Sequence, residues 1–471
     1  MLSKVRNSDS LLALIREGKQ MSLREQLKLT ALLSMPSILA QVSSIIMQYI
    51  DAAMVGSLGA AASASIGIMS TTTWLFWGLC SAVVTGFSVQ VAQSIGADNH
   101  REAQTVVRQG LTSSMLFSVI MAVIGCVVSE GLPRWLGGND EITRDATLYF
   151  CIFAAGLPAY QLGCFSGAVL RCSGNMFVPG MLNVGMCVLD VIFNSIFIFP
   201  TRELWGITVY GAGLGVAGAA IGTVLAELVV AVIMFWYLWR RSPQLNMRGT
   251  SGTFIPRRPV LKRASHIGLP IAVEHAILCG AQILTTVIVA PLGTVAIAAN
   301  AFGITAESLC YMPGYGIGEA ATTLVGQSVG AKRRLLAKRF AKITVYSGVA
   351  VMSVMGFVMY VAASPMMSFF TPDIAVQELG VRVMRIEAWA EPMFAAAIVS
   401  YGAFVGAGDT LIPCCMNLGS IWAVRLTLAA ILAPIYGLPG VWVAMCVELC
   451  FRGAIFLWRL YSNAWLKKAQ G

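Results

Sequence analysis

Long apolar stretches alternate with short polar or basic ones along the whole chain. About 20 apolar residues cross the hydrocarbon of a bilayer as one helix. By that measure the pattern predicts spans near 28–57, 64–95, 104–130, 146–170, 177–199 and 214–239, then 266–291, 297–329, 339–362, 377–405, 411–434 and 439–460. An amphipathic segment, Ser8 to Arg24, precedes them and is expected on the cytoplasmic surface. The expected organisation is a cytoplasmic N-terminal segment (1–27), an N-terminal six-helix lobe (28–239), a basic cytoplasmic connector (240–265), a C-terminal six-helix lobe (266–460) and a cytoplasmic tail (461–471). The expected fold is an all-α integral membrane protein of twelve transmembrane helices.

Within the first span, Ser34, Ser37, Gln41, Ser44, Gln48 and Asp51 recur at spacings of 3, 4, 3, 4 and 3. This spacing lines them along one helix face. A stripe ending in a carboxylate is costly against lipid, so it should face other helices or a wet cavity. The serines and glutamines read equally well as helix–helix contacts. Asp51 points to transport or relay, the common use of an ionisable group inside a membrane.

The same frame returns 234 residues later. Pro36, Gln48, Leu58 and Gly59 meet Pro270, Gln282, Leu292 and Gly293, and Gln93, Ser94, Gly96 and Ala97 meet Gln327, Ser328, Gly330 and Ala331. Pro158/Pro392, Gly174/Gly408 and Pro179/Pro413 keep the register, while Pro133/Pro365 slips by two. A register held this long implies internal duplication. With six spans per half the repeats run parallel, an arrangement whose substrate sites lie between repeats. Asp51 maps to Thr285, so its carboxylate belongs to the first half alone.

Composition agrees with the pattern. Charged residues make up 11% of the 471, against roughly 25% in soluble domains. The net charge of +10 does not indicate nucleic acid, because the bases cluster in connectors. Arg240, Arg241, Arg248, Arg257, Arg258, Lys262 and Arg263 fill one, and Lys332, Arg333, Arg334, Lys338, Arg339 and Lys342 another. They are the cytoplasmic markers of the positive-inside rule and contacts for anionic lipid. With Lys467 and Lys468 in the tail, both termini are expected in the cytoplasm of a cell whose inner membrane holds the chain. Met1 to Lys28 is polar and amphipathic, unlike a cleavable signal sequence. The 12 cysteines lack CxxC spacing and read as small core residues, and no metal site is expected.

Depth along the helices gathers the candidate chemistry. Taking ~1.5 Å per residue, Asp51 lies about 12 Å, Asp190 about 15 Å, Asn194 about 9 Å and Thr223 about 14 Å from the outer end of its span. Asp190 and Asn194, four apart, share a helix face. Two carboxylates at one depth cannot both ionise freely, which suits binding of H⁺ or Na⁺. A hydrogen-bonded structural cluster is the alternative. Embedded Glu227, Glu274, Glu307, Glu319 and Glu448 outnumber the embedded bases, of which Arg425 is the clear one, so the expected cargo is a small organic cation or zwitterion. Glu274 beside His275, with Gln48, Gln282 and Glu307, are the candidates for substrate contact. Pro36 lacks the N–H that would tie its turn and is the candidate hinge.

These residues resemble the multidrug and toxic compound extrusion (MATE) family, closest to its bacterial DinF-type branch. The likeness is carried by Pro36 with Asp51-Ala-Ala-Met-Val-Gly-Ser-Leu-Gly, by Glu307-Ser-Leu-Cys-Tyr-Met-Pro, and by the stretch from Gly316 to Ala331. Leu170-Arg-Cys-Ser-Gly-Asn and Gly215-Val-Ala-Gly-Ala-Ala-Ile-Gly-Thr extend it over nearly the whole chain. The resemblance implies two six-helix lobes, alternating access and drug efflux coupled to inward H⁺ or Na⁺, with no further cofactor. It places the family's N-terminal ion site on Asp51, Asp190, Asn194 and Thr223. Members with a described site typically carry Asn before Asp on span 5, whereas here Asp190 precedes Asn194. The NorM-type branch uses a span-10 carboxylate; the stretch here reads Pro392-Met-Phe-Ala-Ala-Ala, so no second-lobe ion site is expected.

A flippase of lipid-linked oligosaccharides, from the same superfamily, is the alternative, although it needs a cationic cavity. A major-facilitator transporter lacks support in the 97–103 connector, an enzyme would need a nucleophile–base or metal constellation, and the expected chain works as a monomer. The charge distribution predicts that single cysteines at Gly138 and Thr371, on a cysteine-free background, react with an impermeant thiol reagent from outside intact cells. A cysteine at Thr250 should react only after permeabilisation.

Overall fold

The computed structural model describes residues 2–204, 207–247, 252–462 and 464–467. Arg248, Thr250 and Lys468, which enter the charge reading above, lie outside them. The helices are α1 (Leu2–Arg16), α2 (Leu23–Gly56), α3 (Ala60–Gly96), α4 (His100–Val128), a short α5 (Leu132–Trp135), α6 (Asp140–Cys172) and α7 (Phe177–Phe197). A hairpin of β1 (Pro200–Leu204) and β2 (Ile207–Ala212) leads into α8 (Gly215–Arg240) and α9 (Arg258–Val289). There follow α10 (Thr294–Gly330), α11 (Arg334–Phe370), α12 (Ile374–Glu387), α13 (Glu391–Ala407), α14 (Leu411–Gly419), α15 (Thr427–Tyr436), α16 (Leu438–Ser462) and α17 (Ala464–Lys467). Eleven helical stretches among the described residues are long and apolar enough to cross a membrane, with α14 to α15 counted as one; the bent pair α12–α13 makes twelve.

The duplication is visible in the helix ends. α3 and α10 differ by 234 at both ends, and α4 and α11, α6 and α12, α7 and α14 start 234 apart. The register then changes, because the β hairpin before α8 has no counterpart before α16. This antiparallel hairpin, with Leu204 opposite Ile207, is the one departure from an all-helical chain among the described residues.

Most helices extend past the predicted spans, and at four of them polar caps hold the N-terminal end. Asn99 accepts from the backbone N–H of Glu102, Asn139 from Ile142, and Asp373 from Ala375 and Val376. These bonds satisfy donors that a helix N-terminus leaves over. α2 begins at Leu23 rather than residue 28, since Ser22 and Glu25 form a reciprocal capping box: Ser22 N–H donates to Glu25 Oε2 (2.7 Å) and Glu25 N–H to Ser22 Oγ (3.3 Å). The amphipathic segment is accordingly shorter, ending in α1 at Arg16. Arg333 donates to the carbonyls of Leu14 (2.9 Å) and Lys19 (2.7 Å), pinning the end of α1 at the turn that follows α10.

The predicted span 377–405 is two helices. α12 and α13 meet at 58°, with Pro392 in the first turn of α13, where its missing N–H costs nothing. The predicted span 411–434 is interrupted by a π-helical segment, Ser420–Leu426.

The chain divides into two compact units, with boundaries falling inside α2, α3 and α9. One, the C-terminal unit, comprises Met1–Val42, Ala92–Asp98 and Leu269–Gly471; the N-terminal unit comprises Ser43–Val91 and Asn99–Gly268. An aromatic core, with Phe76 edge-on to Phe150 at 5.5 Å and Phe153 beside it, sits in the N-terminal unit. Ala299, Met359, Met384 and Trp442 centre one core of the C-terminal unit.

In the C-terminal unit the ends of α3 and α10 cross at repeat-related positions. A Cβ at Gly96 would overlap the Gln327 carbonyl, and one at Gly330 the Gln93 carbonyl. Small residues allow such backbone contact where lipid gives helices no hydrophobic reason to associate. Gly96→Ala or Gly330→Ala should each cost about 1–3 kcal/mol by forcing the backbones apart. Gly67→Ala, where no atom lies within 4 Å of the new Cβ, should be neutral. Melting of detergent-solubilised variants, followed by fluorescence-detected size exclusion, checks the contrast.

Candidate functional site

The polar stripe of α2 divides its partners by unit. In the C-terminal unit Ser37 Oγ donates to Glu319 Oε2 (3.0 Å) and Gln41 Nε2 to Glu319 Oε1 (3.3 Å). Both are contacts between α2 and α10, as helix packing requires. Pro36 lies within α2 next to this contact.

In the N-terminal unit the stripe ends at Asp51, within a cluster of polar side chains. Asn194 Nδ2 donates to Asp51 Oδ1 (2.9 Å) and to Asp190 Oδ2 (3.0 Å), so one amide bridges carboxylates from α2 and α7. Asp190 and Asn194 are buried, and Asp190 Oδ1 and Asn194 Oδ1 have no hydrogen-bond partner by distance and angle among the described residues. Thr223 is next to Gly222 on α8, and the Thr223 hydroxyl interacts with the Asp190 side chain. Gly222 is required here, because a Cβ would overlap Asn194 Oδ1. The four residues gathered by depth thus converge from three helices. Gln48 lies half-buried one turn before Asp51.

Chemically, the cluster pairs a buried carboxylate, Asp190, with a half-buried one, Asp51, bridged by a single amide. Leaving buried acceptors without donors costs about 1–3 kcal/mol each, a cost that a proton or a small cation would relieve. Among the described residues no group of three or more His, Cys, Asp and Glu is arranged to hold a metal ion.

The second-half candidates separate. Glu274, on α9, accepts from Tyr401 Oη (2.7 Å) and Asn417 Nδ2 (2.6 Å), which fixes both its oxygens. His275 does not share these bonds; neighbours on a helix point about 100° apart. Gln282 and Glu307 instead line a cavity of about 220 Å³ inside the C-terminal unit, and Glu274 and His275 are not in that lining. Tyr401 and Asn417 went unrecognised in the sequence because they are distant in the chain and neutral.

The sequence also understated the embedded bases. Arg452, on α16, joins Arg425 on Glu448: Arg425 Nη2 donates to Oε2 (2.7 Å), and Arg452 Nε to Oε1 (2.7 Å). Arg459 pairs with buried Asp409. The i, i+4 spacing of Glu448 and Arg452 was the available signal. Glu387 and Glu391, flanking the α12–α13 bend, are buried with no partner on any carboxylate oxygen among the described residues.

A family model, MatE, matches twice, over residues 36–196 and 270–431. The chain belongs to the MatE family. Its two matches begin 234 residues apart, in the register of the repeat. The chain is therefore a multi-pass membrane transporter of the MATE family, not an enzyme. Among relatives, a probable multidrug resistance protein NorM of Thermotoga maritima is 26% identical over 449 residues, covering 93% of this chain and 92% of its own. The Vibrio cholerae MATE transporter VcmN in its bent form superposes with a TM-score of 0.81 at 19% identity, covering 98% of this chain and 99% of that one. A MOP superfamily transporter from Pyrococcus furiosus gives 0.86 at 19% identity, over 94% and 97%. At these identities the structures establish the MATE fold.

Gly222→Ala should displace Asn194 and break its bridge between the carboxylates, lowering the melting temperature of the detergent-solubilised protein. Gly185→Ala on α7, with no atom within 4 Å of its new Cβ, should melt like the parent.

Proposed function

We propose that this MATE protein is a secondary active multidrug exporter, driven by inward H⁺ or Na⁺ through alternating access. The observation that carries this reading is the Asp51–Asn194–Asp190 bridge, in which buried Asp190 and Asn194 each keep an acceptor oxygen without a geometric partner among the described residues. Asp51, Asp190, Asn194 and Thr223 take the coupling ion, and no resident cofactor is needed. The names of relatives such as the Thermotoga maritima protein support the multidrug part. The cargo is a small organic cation or zwitterion, the chain works as a monomer among membrane lipids, and both termini face the cytoplasm of a cell whose inner membrane holds it.

The coupling follows from electrostatics. An ionised Asp51 favours a hydrated pocket, whereas a neutralised one tolerates a dry, collapsed one. The ion shifts this balance only by binding one state better than the other. Pro36, fifteen residues earlier and about 22 Å along α2, is where bending is cheap. Drug and ion then compete through the same pair of states.

Ion-jump efflux from proteoliposomes, with ΔpH and ΔNa⁺ imposed separately, tests the reading. Asp51→Asn should keep expression and abolish ion-driven efflux, and Pro36→Ala should slow turnover with ion binding retained. Wild-type driven efflux in Asp51→Asn would remove this carboxylate from the mechanism.

A further inference from the structure

The cavity of the C-terminal unit has a polarity that the coupling site does not use. Glu448 is saturated: Ser420 Oγ donates to Oε1 (2.6 Å), alongside Arg452 Nε, while Oε2 accepts from Arg425 Nε (3.0 Å), Arg425 Nη2 and Arg452 Nη2 (2.8 Å). One carboxylate therefore holds two guanidiniums by hydrogen bonds. Each arginine still has its Nη1 donors uncommitted to Glu448, and both arginines line the cavity. The π-helical segment brings this about, because it carries Ser420 and Arg425 to the same glutamate. Such segments recur at functional sites.

Glu307 on α10 lines the same cavity, and it is buried without being one of the acceptors that Arg425 or Arg452 uses. The remaining wall is aromatic. Phe394 lies under the Arg452 guanidinium at 5.8 Å, and Tyr311 packs edge-on to Phe394 at 5.5 Å. Trp442 is held in the lining by its Nε1–H to Asn300 Oδ1 (2.9 Å). Guanidinium forks match a carboxylate in shape and charge. A carboxylate that accepts from neither guanidinium, set amid aromatic rings, suits an ammonium.

We propose that this cavity is a binding site for a small aromatic zwitterion, its carboxylate on Arg425 and Arg452 and its ammonium on Glu307. It narrows the cargo class of the exporter reading and rests on that reading only for the ligand being cargo. At about 220 Å³ the cavity is smaller than the roughly 300–1,000 Å³ of drug-sized pockets, so it takes one or two rings rather than an extended drug. Glu387 and Glu391 are outside the lining. Both act electrostatically on Glu307, and Glu387 on Arg425 as well.

Equilibrium binding to the full chain in nanodiscs, by scintillation proximity, separates the contributions without any need for transport. The probes are 2-naphthylalanine, naphthalene-2-acetate and 2-(2-naphthyl)ethylamine, which carry both charges, the carboxylate alone and the ammonium alone. The zwitterion should bind at least tenfold more tightly than either partner. Arg425→Gln leaves the paired Arg452–Glu448 in place and should erase the advantage of the zwitterion over the amine. Arg425→Lys should retain part of it, and Glu307→Gln should erase the advantage over the acid. If Arg425→Gln lowers the melting temperature, the Arg425→Lys and Glu307→Gln comparisons decide. Equal affinities in the wild type, no binding of any probe, or selectivities unchanged in folded variants would each overturn the proposal. Binding of this pattern with no ion-driven efflux would refute the exporter reading and leave the site standing.

Discussion

Lipid rewards helices little for burying apolar surface against one another, so close backbone approach and polar pairing must hold a membrane bundle together. The crossing of α3 and α10 in the C-terminal unit satisfies this requirement twice, with Gly96 on the Gln327 carbonyl and Gly330 on the Gln93 carbonyl. Gln93 adds a bond from its side-chain amide to the Gly406 carbonyl (3.0 Å), drawing α13 to the same crossing. The repeated positions explain why the duplicated register is kept so closely here: neither glycine can change without moving a partner backbone.

The same scarcity of driving force gives meaning to the buried acids. Glu319, Glu274 and Glu448 each receive hydrogen bonds from two or more other residues, and they join helices. Asp409 is matched by Arg459. Asp51 and Asp190 differ, because one neutral amide is shared between them and an Asp190 oxygen has no geometric hydrogen-bond partner among the described residues. In an apolar medium a saturated carboxylate is a fastener, whereas an undersupplied one, as at Asp190 and at Glu387 and Glu391, carries a desolvation cost that its neighbours do not offset.

The two units carry different chemistry on one repeated frame. In the N-terminal unit the hairpin β1–β2 stands between α7 and α8, and Gly222 on α8 makes room for Asn194. In the C-terminal unit no hairpin precedes α16, and the π-helical segment, at the repeat positions of 186–192 inside α7, brings Arg425 to Glu448. Duplication preserved the helices and let the polar side chains diverge, as the pairing of Asp51 with Thr285 already indicated.

Hydropathy, the 234-residue repeat and the basic connectors were enough to read twelve spans and the membrane class, because span length and apolar composition are local properties. Helix rise alone put Asp51, Asp190, Asn194 and Thr223 at one depth, since distance along a straight helix needs no tertiary information. Pro392, inside a predicted span, marks where bending between Glu387 and Glu391 is cheap, whereas the π-helical turn at Ser420 had no such signal in the sequence. Which acids are satisfied was equally hidden. Tyr401 and Asn417 reach Glu274 from 127 and 143 residues away, and only the folded chain decides that Glu274 is tied down while Glu307 faces a cavity.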